Sequence, residues 1–417
     1  MRDERVNISL REWSKVFGIL LGIKLIVFLC FFYAHHFIPR AKYPSDIWMV
    51  RPGTSLAQNL ANFDGAWFIR ISALGYQRLT TGDYSLDKET ARLKVMDQLG
   101  FKDGVERKYA YRHWPLFPWL IKVLAPVLKN NYLIAGIALS NFFYLLYGIF
   151  FYKLARIYFR EQISQLSLCI ALIHPGAYAL NAVYNEPVFL FFITACFYFL
   201  KKDRFFLAGF FAGLASLTRI ESVLIYVPIL YEYLRKNSSD NEGLFSVFKP
   251  GQLKKSFSRL FREPGVLWLF LGPVGSLVVL LYFKLLSGSA FIFVQVHEAN
   301  IYGHFGFPWQ MLYATYLKGA DTYLKELPLH FLLLLVIIFS FRKIDWTLWV
   351  WLLSFWIFYT TNGNHSYLRY QVMCVPMFLA MGSLLENRPI LQYLYIICSS
   401  SAMVFFSAMY INGYWVA

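Results

Sequence analysis

The feature that most constrains this chain is a series of long apolar runs that recur along nearly its whole length. Hydrophobic residues make up 58% of the 417 residues and charged residues only 15%, whereas a soluble domain contains about 25% charged residues. A run of roughly 20 apolar residues can cross a bilayer as a helix. The composition therefore predicts an all-α, polytopic membrane protein and excludes an ordinary soluble domain.

The apolar runs predict about eleven transmembrane helices, including short ones that cross the bilayer only partly. Their expected ranges are 17–38, 131–152, 163–181, 186–200, 205–219, 221–234, 266–286, 328–341, 346–361, 370–386 and 390–410. Short segments often line a cavity, where neighbouring protein satisfies the loose backbone. We expect the N-terminal run to remain as a first helix. Because no internal repeat is evident, we expect a single integral-membrane domain over residues 1–417.

The distribution of lysine and arginine predicts the orientation. The net charge is 40 − 24 = +16, and cytoplasmic loops rich in Lys and Arg explain it without a nucleic-acid partner. With a cytoplasmic N-terminus, residues 235–265 form a basic cytoplasmic loop and residues 39–115 the first non-cytoplasmic loop. Anionic lipids or phosphate substrates are the partners that the remaining charge suggests. The five cysteines lie in apolar runs without paired spacing, which disfavours a disulfide framework or a zinc site.

This orientation places a set of polar residues together on the non-cytoplasmic side. The set comprises Asp64, Asn185, Glu186, Arg219, Glu221, His297, His304 and Arg369. Polar groups gathered at one end of the spans favour chemistry on one face of the membrane. The alternative, a lipid or solute transporter or flippase, typically shows structural repeats and charges near the bilayer midplane.

The stretch NFDGAWFIRISALGYQ, residues 62–77, begins close to one of these acids, Asp64. Apolar residues recur around it at helical spacing, at Leu60, Phe63, Trp67, Ile71 and Leu74. We expect an amphipathic helix that lies along the membrane interface, with the aromatic stripe anchored in the bilayer and Asp64 in its first turn. The residues alone leave two roles open for Asp64: an N-cap, or a group that acts on a substrate.

Arg219 and Arg369 each lie at the outer end of a predicted span, where an unpaired charge is costly. Both are candidates for binding a phosphate, and both have the alternative of an ion pair with an acid such as Glu221 or Glu186. Glu186 begins a predicted helix, a position that the helix macrodipole alone favours for an acid. The sequence does not decide between these roles.

The remaining candidates are weaker. Arg112 and His113 lie at the rim of the expected site, where either side chain can contact a phosphate. Gln295 and His304 belong to VQVHEANIYGHFGFPWQ, residues 294–310, whose amide and aromatic groups suit a sugar or acceptor pocket. The seven-residue spacing between His297 and His304 is not that of a standard ligand pair, so no metal site is expected.

Five segments of the chain, in this order, resemble the PIG-V family of integral-membrane mannosyltransferases. They are NFDGAWFIRISALGYQ (62–77), HWPLFPWLIKVL (113–124), HPGAYALNAVYNEPVFLFF (174–192), AGFFAGLASLTRIESVLIYVPILYEYL (208–234) and SYLRYQVMCVPMFLA (366–380). Two elements differ from the usual family forms. Ile220 stands where Thr-Arg is usually followed by proline, and Asn185 stands in a motif that is commonly Tyr-Ser-Glu.

The resemblance implies the GT-C glycosyltransferase fold and activity. A hexose, expected to be mannose, would pass with inversion from a polyprenyl-phosphate donor to the hydroxyl of a glycolipid or another acceptor on the non-cytoplasmic face. The resemblance also implies Asp64 as the base and no cofactor or obligatory metal ion. A carboxylate can take the acceptor's proton, and an arginine can stabilise the leaving phosphate. The membrane would be the cell membrane in a prokaryote and the endoplasmic reticulum in a eukaryote.

Overall fold

The computed structural model describes residues 8–41, 55–81, 108–236, 243–299, 306–317, 320–361 and 366–416, and every regular element within them is helical. The α-helices, numbered in chain order, are α1 (Leu10–Phe37), α2 (Leu56–Asn59), α3 (Asp64–Thr81), α4 (Leu116–Leu124), α5 (Tyr132–Tyr158), α6 (Glu161–Leu172), α7 (Glu186–Lys201), α8 (Phe205–Thr218), α9 (Val223–Lys236), α10 (Pro250–Arg262), α11 (Leu271–Ser287), α12 (Ile292–Ala299), α13 (Pro308–Leu317), α14 (Ala320–Ser340), α15 (Trp346–Thr361), α16 (Tyr367–Gln371), α17 (Val375–Leu384) and α18 (Pro389–Ile411). The 3₁₀ helices are Lys108–Arg112, Ala125–Leu128, Pro175–Leu180, Ile220–Ser222, Ser246–Phe248 and Pro264–Phe270.

Four helical segments are long and apolar enough to cross a membrane. They are Leu10–Phe37, Tyr132–Tyr158, Pro264–Ser287 and Pro389–Ile411. Shorter apolar helices occupy Leu116–Leu128, Phe205–Thr218, Glu326–Ser340 and Val375–Leu384. The all-helical architecture and these segments identify an integral membrane protein, as the composition predicts. The count of about eleven spans stays a prediction.

Two of the predicted spans, 163–181 and 370–386, are broken in the structure. The first ends as α6 and continues as the 3₁₀ helix Pro175–Leu180, and the second divides into α16 and α17. Pro175 and Pro376 lie in the first turns of the helices that follow the breaks, and proline lacks the backbone N–H that would continue the preceding helix. His174 caps the 3₁₀ helix, since its Nδ1 accepts a hydrogen bond from the Gly176 amide at 3.1 Å.

The broken segments pack closely against each other, and glycine makes this contact feasible. A Cβ added to Gly176 would lie 2.4 Å from the carbonyl oxygen of Leu368 and 3.0 Å from the Cα of Arg369. The 3₁₀ helix can therefore approach the backbone that bears Arg369 only because residue 176 has no side chain.

Helix α7 lies at the centre of the bundle, packed against α5 and α8 and buried along most of its length. Its first residue, Glu186, and its last, Lys201, are both charged. Sixteen residues at 1.5 Å each place these two ends about 24 Å apart. Each end takes part in a different cluster of buried charges.

The cluster at the Lys201 end joins α7, α9 and α15 and is called here the remote cluster: Lys201, Glu232, Arg235 and Asp345. Lys201 Nζ lies 2.7 Å from Glu232 Oε2 and 3.3 Å from Asp345 Oδ1, and Arg235 Nη1 lies 2.7 Å from Asp345 Oδ2. Every charge in the remote cluster therefore has a partner of opposite sign. The basic residues assigned by sequence to the cytoplasmic side include Lys201 and Arg235.

The expectation of an interfacial helix at residues 62–77 needs correction. Helix α3 does begin at Asp64, but it breaks at Gly75, where φ is 74°. Its apolar stripe is covered by protein rather than lipid: Trp67 is 1% and Ile71 3% exposed. The polar side of the helix is covered too, with Arg70 only 2% exposed. Periodicity identified the helix but could not show that α4, α5, α11 and the 3₁₀ helix Lys108–Arg112 surround it.

Candidate active site

The charged residues at the Glu186 end of α7 come from four separate parts of the chain. Asp64 is the first residue of α3, Arg219 directly follows α8, Glu221 lies in the next 3₁₀ helix, and Arg369 lies in α16. Together with Glu186 they form what we call the site cluster. The structure thus brings Asp64, Glu186, Arg219 and Arg369 together at one end of the bundle, as the sequence predicts.

Asp64 lies between a guanidinium and an imidazole. Its Oδ2 is 2.7 Å from Arg369 Nη2, and its Oδ1 is 3.5 Å from His113 Nε2. Burial alone raises the pKa of the Asp64 carboxyl, but the charge of Arg369 and the hydrogen bond from His113 hold it well below its ordinary value. The carboxyl is therefore ionised at neutral pH, and its side chain keeps 19% exposure.

These contacts bear on the two roles that the sequence leaves open for Asp64. An N-cap aspartate would accept hydrogen bonds from free N–H groups in the first turn of its helix. Among the described residues, the partners of the Asp64 carboxylate are instead the side chains of Arg369 and His113. The structure therefore favours a role in the site cluster over a role as a helix cap.

Arg369 connects Asp64 to Glu186. Its Nε lies 3.3 Å from Glu186 Oε1, and its guanidinium lies between two aromatic rings, 5.0 Å from the centroids of Tyr184 and Tyr370. Glu186 is 1% exposed, and a buried carboxylate is costly without a cation close to it. The helix N-terminus at Glu186, which the sequence also indicates, is therefore only one of the groups that stabilise this carboxylate.

Arg219 is held on three sides. It makes a two-pronged contact with Glu221, with Nε 3.2 Å from Oε2 and Nη2 3.0 Å from Oε1. Its Nη1 lies 3.0 Å from Glu186 Oε1 and donates a hydrogen bond to Asn185 Oδ1 at 2.7 Å. The ion-pair alternative for Arg219 is thus present in the structure, and Tyr359 donates a further hydrogen bond of 3.3 Å to Glu221.

His113 and Arg112 lie beside the site cluster. The His113 ring stacks against Trp67 with a centroid distance of 5.8 Å, and its backbone carbonyl accepts a hydrogen bond from Tyr76. Arg112 ends a 3₁₀ helix, and its Nη1 donates a 2.9 Å hydrogen bond to the hydroxyl of Tyr109. Both side chains are therefore fixed in position by aromatic neighbours.

The last two sequence candidates are Gln295 and His304. Gln295 is exposed on α12, a helix that packs against the 3₁₀ helix Lys108–Arg112, and among the described residues no hydrogen bond links it to the site cluster. His304 lies outside the described residues. Within the part of the chain that the structure describes, no three His, Cys, Asp or Glu side chains are placed to hold a metal ion. The expectation that the protein needs no metal stays a prediction.

Sequence reasoning did not identify the tyrosines that build this site. Tyr184 and Tyr370 flank the Arg369 guanidinium, Tyr359 holds Glu221 and Tyr109 holds Arg112. Tyr184 and Tyr370 lie within the sequence segments 174–192 and 366–380, and their closeness to Glu186 and Arg369 was the available signal. The abundance of aromatic residues, 20% of the chain, hides such individual roles.

The arrangement suits proton removal beside an anionic leaving group. An ionised carboxylate with a partly exposed side chain can accept a proton from a hydroxyl. Guanidinium groups close to it can stabilise negative charge that develops on an oxygen during bond cleavage. The guanidinium groups of Arg219 and Arg369 are buried, and burial strengthens their electrostatic effect because water screens them less.

Comparisons with known proteins point to the same chemistry over part of the chain. Residues 112–245 match the family described as dolichyl-phosphate-mannose-protein mannosyltransferase. The chain is also 26% identical over 163 residues to GPI mannosyltransferase 1 of Kluyveromyces lactis. That alignment covers 37% of this chain and 39% of the yeast enzyme, so the chain spans well under half the length of the relative it matches.

The chain is therefore similar to mannosyltransferases, over a region that includes Arg112, Glu186 and Arg219 but neither Asp64 nor Arg369. Glycosyl transfer is the coarse activity that both comparisons support. The narrower resemblance to the PIG-V family stays a prediction.

Proposed function

We propose that the protein is an inverting, GT-C-type mannosyltransferase. Its donor is a polyprenyl-phosphate-linked mannose, and its acceptor is the hydroxyl of a glycolipid or another acceptor. The reaction takes place on the non-cytoplasmic face of the membrane, with Asp64 as the general base. The proposal needs no cofactor.

One observation supports this proposal most strongly: a partly exposed, ionised Asp64 lies 2.7 Å from Arg369. A general base must be ionised and accessible before its substrate arrives, and Asp64 meets both conditions. The similarity to mannosyltransferases supplies the sugar and the reaction class.

The proposed step balances in atoms and charge. The acceptor oxygen attacks the anomeric carbon, and its proton passes to the Asp64 carboxylate. The bond between the anomeric carbon and the phosphate oxygen breaks, and its electron pair stays with the phosphate. The donor phosphodiester has one negative charge and the released lipid phosphate two, while Asp64 becomes neutral. A guanidinium near the phosphate would stabilise the added charge.

The proposed face follows from the distribution of charge. Lys201 and Arg235 lie at the end of α7 remote from Asp64, together with the basic loop after α9. Lysine- and arginine-rich ends of membrane proteins stay in the cytoplasm. The site cluster would then open toward the opposite side, where a lipid-linked donor and acceptor meet.

The proposal can be tested with purified protein in liposomes that contain radiolabelled polyprenyl-phosphate mannose and a panel of hydroxyl acceptors. We expect a new glycoside whose anomeric configuration is the inverse of the donor's. Asp64→Asn preserves shape and removes the base, so transfer should fall by about 10²–10⁴-fold. The matched control is Asp345→Asn, which neutralises an ion-paired aspartate of the remote cluster and should keep transfer per folded molecule.

Undiminished transfer by Asp64→Asn would show that Asp64 is not the base. The same liposomes also test the alternative of a transporter or flippase. If labelled lipid crosses the bilayer and no glycosidic bond forms with any acceptor, that alternative gains support and the transferase proposal fails.

A further inference from the structure

The two arginines at the centre of the site cluster are already neutralised by carboxylates. Arg369 contacts Asp64 and Glu186, while Arg219 contacts Glu186 and both oxygens of Glu221. All of these side chains except Asp64 are less than 10% exposed. A phosphate that bound either arginine would have to displace a buried carboxylate, which would then lose its partner at a high cost in free energy.

Arg112 is in a different situation. Among the described residues, its guanidinium makes no ion pair with a carboxylate. Its contacts are the Tyr109 hydroxyl at 2.9 Å and the face of the Tyr109 ring at 5.0 Å. The side chain is partly exposed, and the next residue along the chain, His113, contacts Asp64.

Arg112 nevertheless lies within electrostatic reach of the site cluster. Burial lowers the pKa of the Arg112 guanidinium, but Tyr109, Tyr370, Asp64 and Glu221 together raise it above its ordinary value. Asp64 and Glu221 do not touch Arg112, so their effect acts through space. In the part of the chain that the structure describes, the guanidinium therefore lies beside the base without being bound to an acid.

We propose that Arg112 is the residue that binds the phosphate of the lipid-linked donor, and that Arg219 and Arg369 are positioning residues that hold the carboxylates in place. This inference rests on the proposed function. It reverses the order that the sequence suggests, in which Arg219 and Arg369 are the first candidates for phosphate binding and Arg112 is a weaker one at the rim.

The balance of charge supports this assignment. Without Arg112, the site cluster has two arginines and three carboxylates, a formal charge of 2 − 3 = −1 that repels a phosphodiester. Arg112 brings the total formal charge to zero. No acid among the described residues forms an ion pair with this added positive charge. A guanidinium has five N–H donors, of which the Tyr109 hydroxyl accepts one. Four therefore remain, and two of them are enough for a bidentate contact with phosphate.

The experiment measures binding of a short-chain polyprenyl phosphate without sugar to the full-length protein in detergent, by isothermal titration calorimetry. Arg112→Gln should weaken binding by about 10–100-fold, because charge-assisted hydrogen bonds to phosphate contribute about 1.5–3 kcal/mol. Arg112→Lys keeps the positive charge but loses the planar guanidinium that can make two parallel hydrogen bonds to phosphate. This variant should bind with intermediate affinity. Arg204→Gln removes one exposed positive charge at the other end of α7 and should bind like wild type.

A second variant distinguishes loss of the phosphate contact from misfolding of the Arg112→Gln protein. Tyr109→Phe removes only the hydroxyl that orients Arg112 and should weaken binding by a few-fold in a protein that unfolds at the wild-type temperature. Wild-type affinity in both Arg112→Gln and Tyr109→Phe would overturn the proposal. So would a loss in folded Arg219→Lys or Arg369→Lys that equals the loss in Arg112→Gln.

The outcome is separable from that of the proposed function, because the binding assay contains neither sugar nor acceptor. Weak binding by Arg112→Gln together with full transfer by Asp64→Asn would sustain the phosphate site and refute the proposed base. Tight binding by Arg112→Gln together with loss of transfer in Asp64→Asn would refute the phosphate site and sustain the proposed base.

Discussion

The two ends of α7 hold two clusters of buried charge that resemble each other in composition and differ in pairing. Every residue of the remote cluster contacts a residue of opposite charge: the cluster consists of Lys201, Arg235, Glu232 and Asp345. At the other end, the five residues of the site cluster are also fully paired, but Arg112 stands next to them without an acidic partner among the described residues.

The difference teaches that a buried charge by itself does not identify a functional residue. Breaking a buried ion pair is strongly destabilising, so paired charges hold helices in place wherever they occur. A cation that lies near acids and is bound to none of them remains available to an anionic ligand. We therefore propose that function at the Glu186 end depends on the partly exposed carboxylate of Asp64 and on Arg112.

The largest effect on stability should come from Arg369→Gln. The substitution leaves Asp64 without its cation and Glu186 with only one, in surroundings that exclude most water. We expect the free energy of unfolding to fall by about 3–5 kcal/mol. Arg112→Gln is the matched comparison and should change it by no more than about 0.5 kcal/mol. Thermal unfolding of both detergent-solubilised variants tests this, and equal losses would remove the distinction between an arginine paired with acids and one bound to a tyrosine.

Lys201→Met should have the next largest effect, and only on stability. Glu232 would keep Arg235 and the Thr347 hydroxyl as partners, so we expect a loss near 3 kcal/mol, the lower end of the range for broken buried pairs. Affinity for polyprenyl phosphate, measured on the folded fraction, should equal that of wild type because Lys201 lies about 24 Å from Glu186. Weakened phosphate binding would mean that the two clusters are coupled through α7.

Gly176→Ala should perturb the site without altering any charge. Its new Cβ would lie 2.4 Å from the Leu368 carbonyl oxygen, so the segment that bears Arg369 must move. Overpacking of this kind costs about 1–3 kcal/mol. We expect a lower unfolding temperature and slower transfer, with phosphate affinity little changed because Arg112 lies on another element. Gly382→Ala, which overlaps Ser167 away from the site, is the control, and slowing of transfer to the same extent there would contradict this explanation.

The smallest effect concerns pH. Because Arg369 and His113 lower the pKa of Asp64 against the opposing effect of burial, ionised Asp64 contributes stability above the unfolded value of about 4. That contribution is lost as the pH falls through the lower, folded-state value. Wild type should therefore lose more stability than Asp64→Asn between about pH 4 and pH 2. Parallel unfolding curves for the two proteins across this range would show that Asp64 is not held ionised.

Much of the architecture could be predicted from hydropathy alone. Four of the predicted spans coincide with helices long and apolar enough to cross a membrane, because a bilayer demands long apolar helices whatever their neighbours. The sequence was less informative about the two helix breaks, at His174 and Cys374. Proline marks both positions in the sequence, but only contacts such as that of Gly176 with Leu368 explain why the chain breaks and resumes there.

The sequence predicted which charged residues belong to the site cluster. It did not predict which of them form ion pairs with each other. Asp64, Glu186, Arg219 and Arg369 were selected because the charge rule places them at the same ends of their helices, and the structure does bring them together. Ion pairs form between side chains that are distant in sequence, and their distances depend on how the helices pack. The sequence therefore could not show that Arg369, rather than Arg112, holds Asp64.

The sequence by itself determined that this chain is a helical membrane protein with polar residues at one end of its helices, because hydrophobic transfer and backbone hydrogen bonding act locally along the chain. The tertiary structure alone decided which charges are paired. It covered the aromatic stripe of α3 with protein and joined Arg219 and Arg369 to three acids. Within the described ranges, it gave Arg112 a hydrogen bond to Tyr109 and no acidic partner. Electrostatic energies depend on separations of a few ångströms, and packing sets those separations.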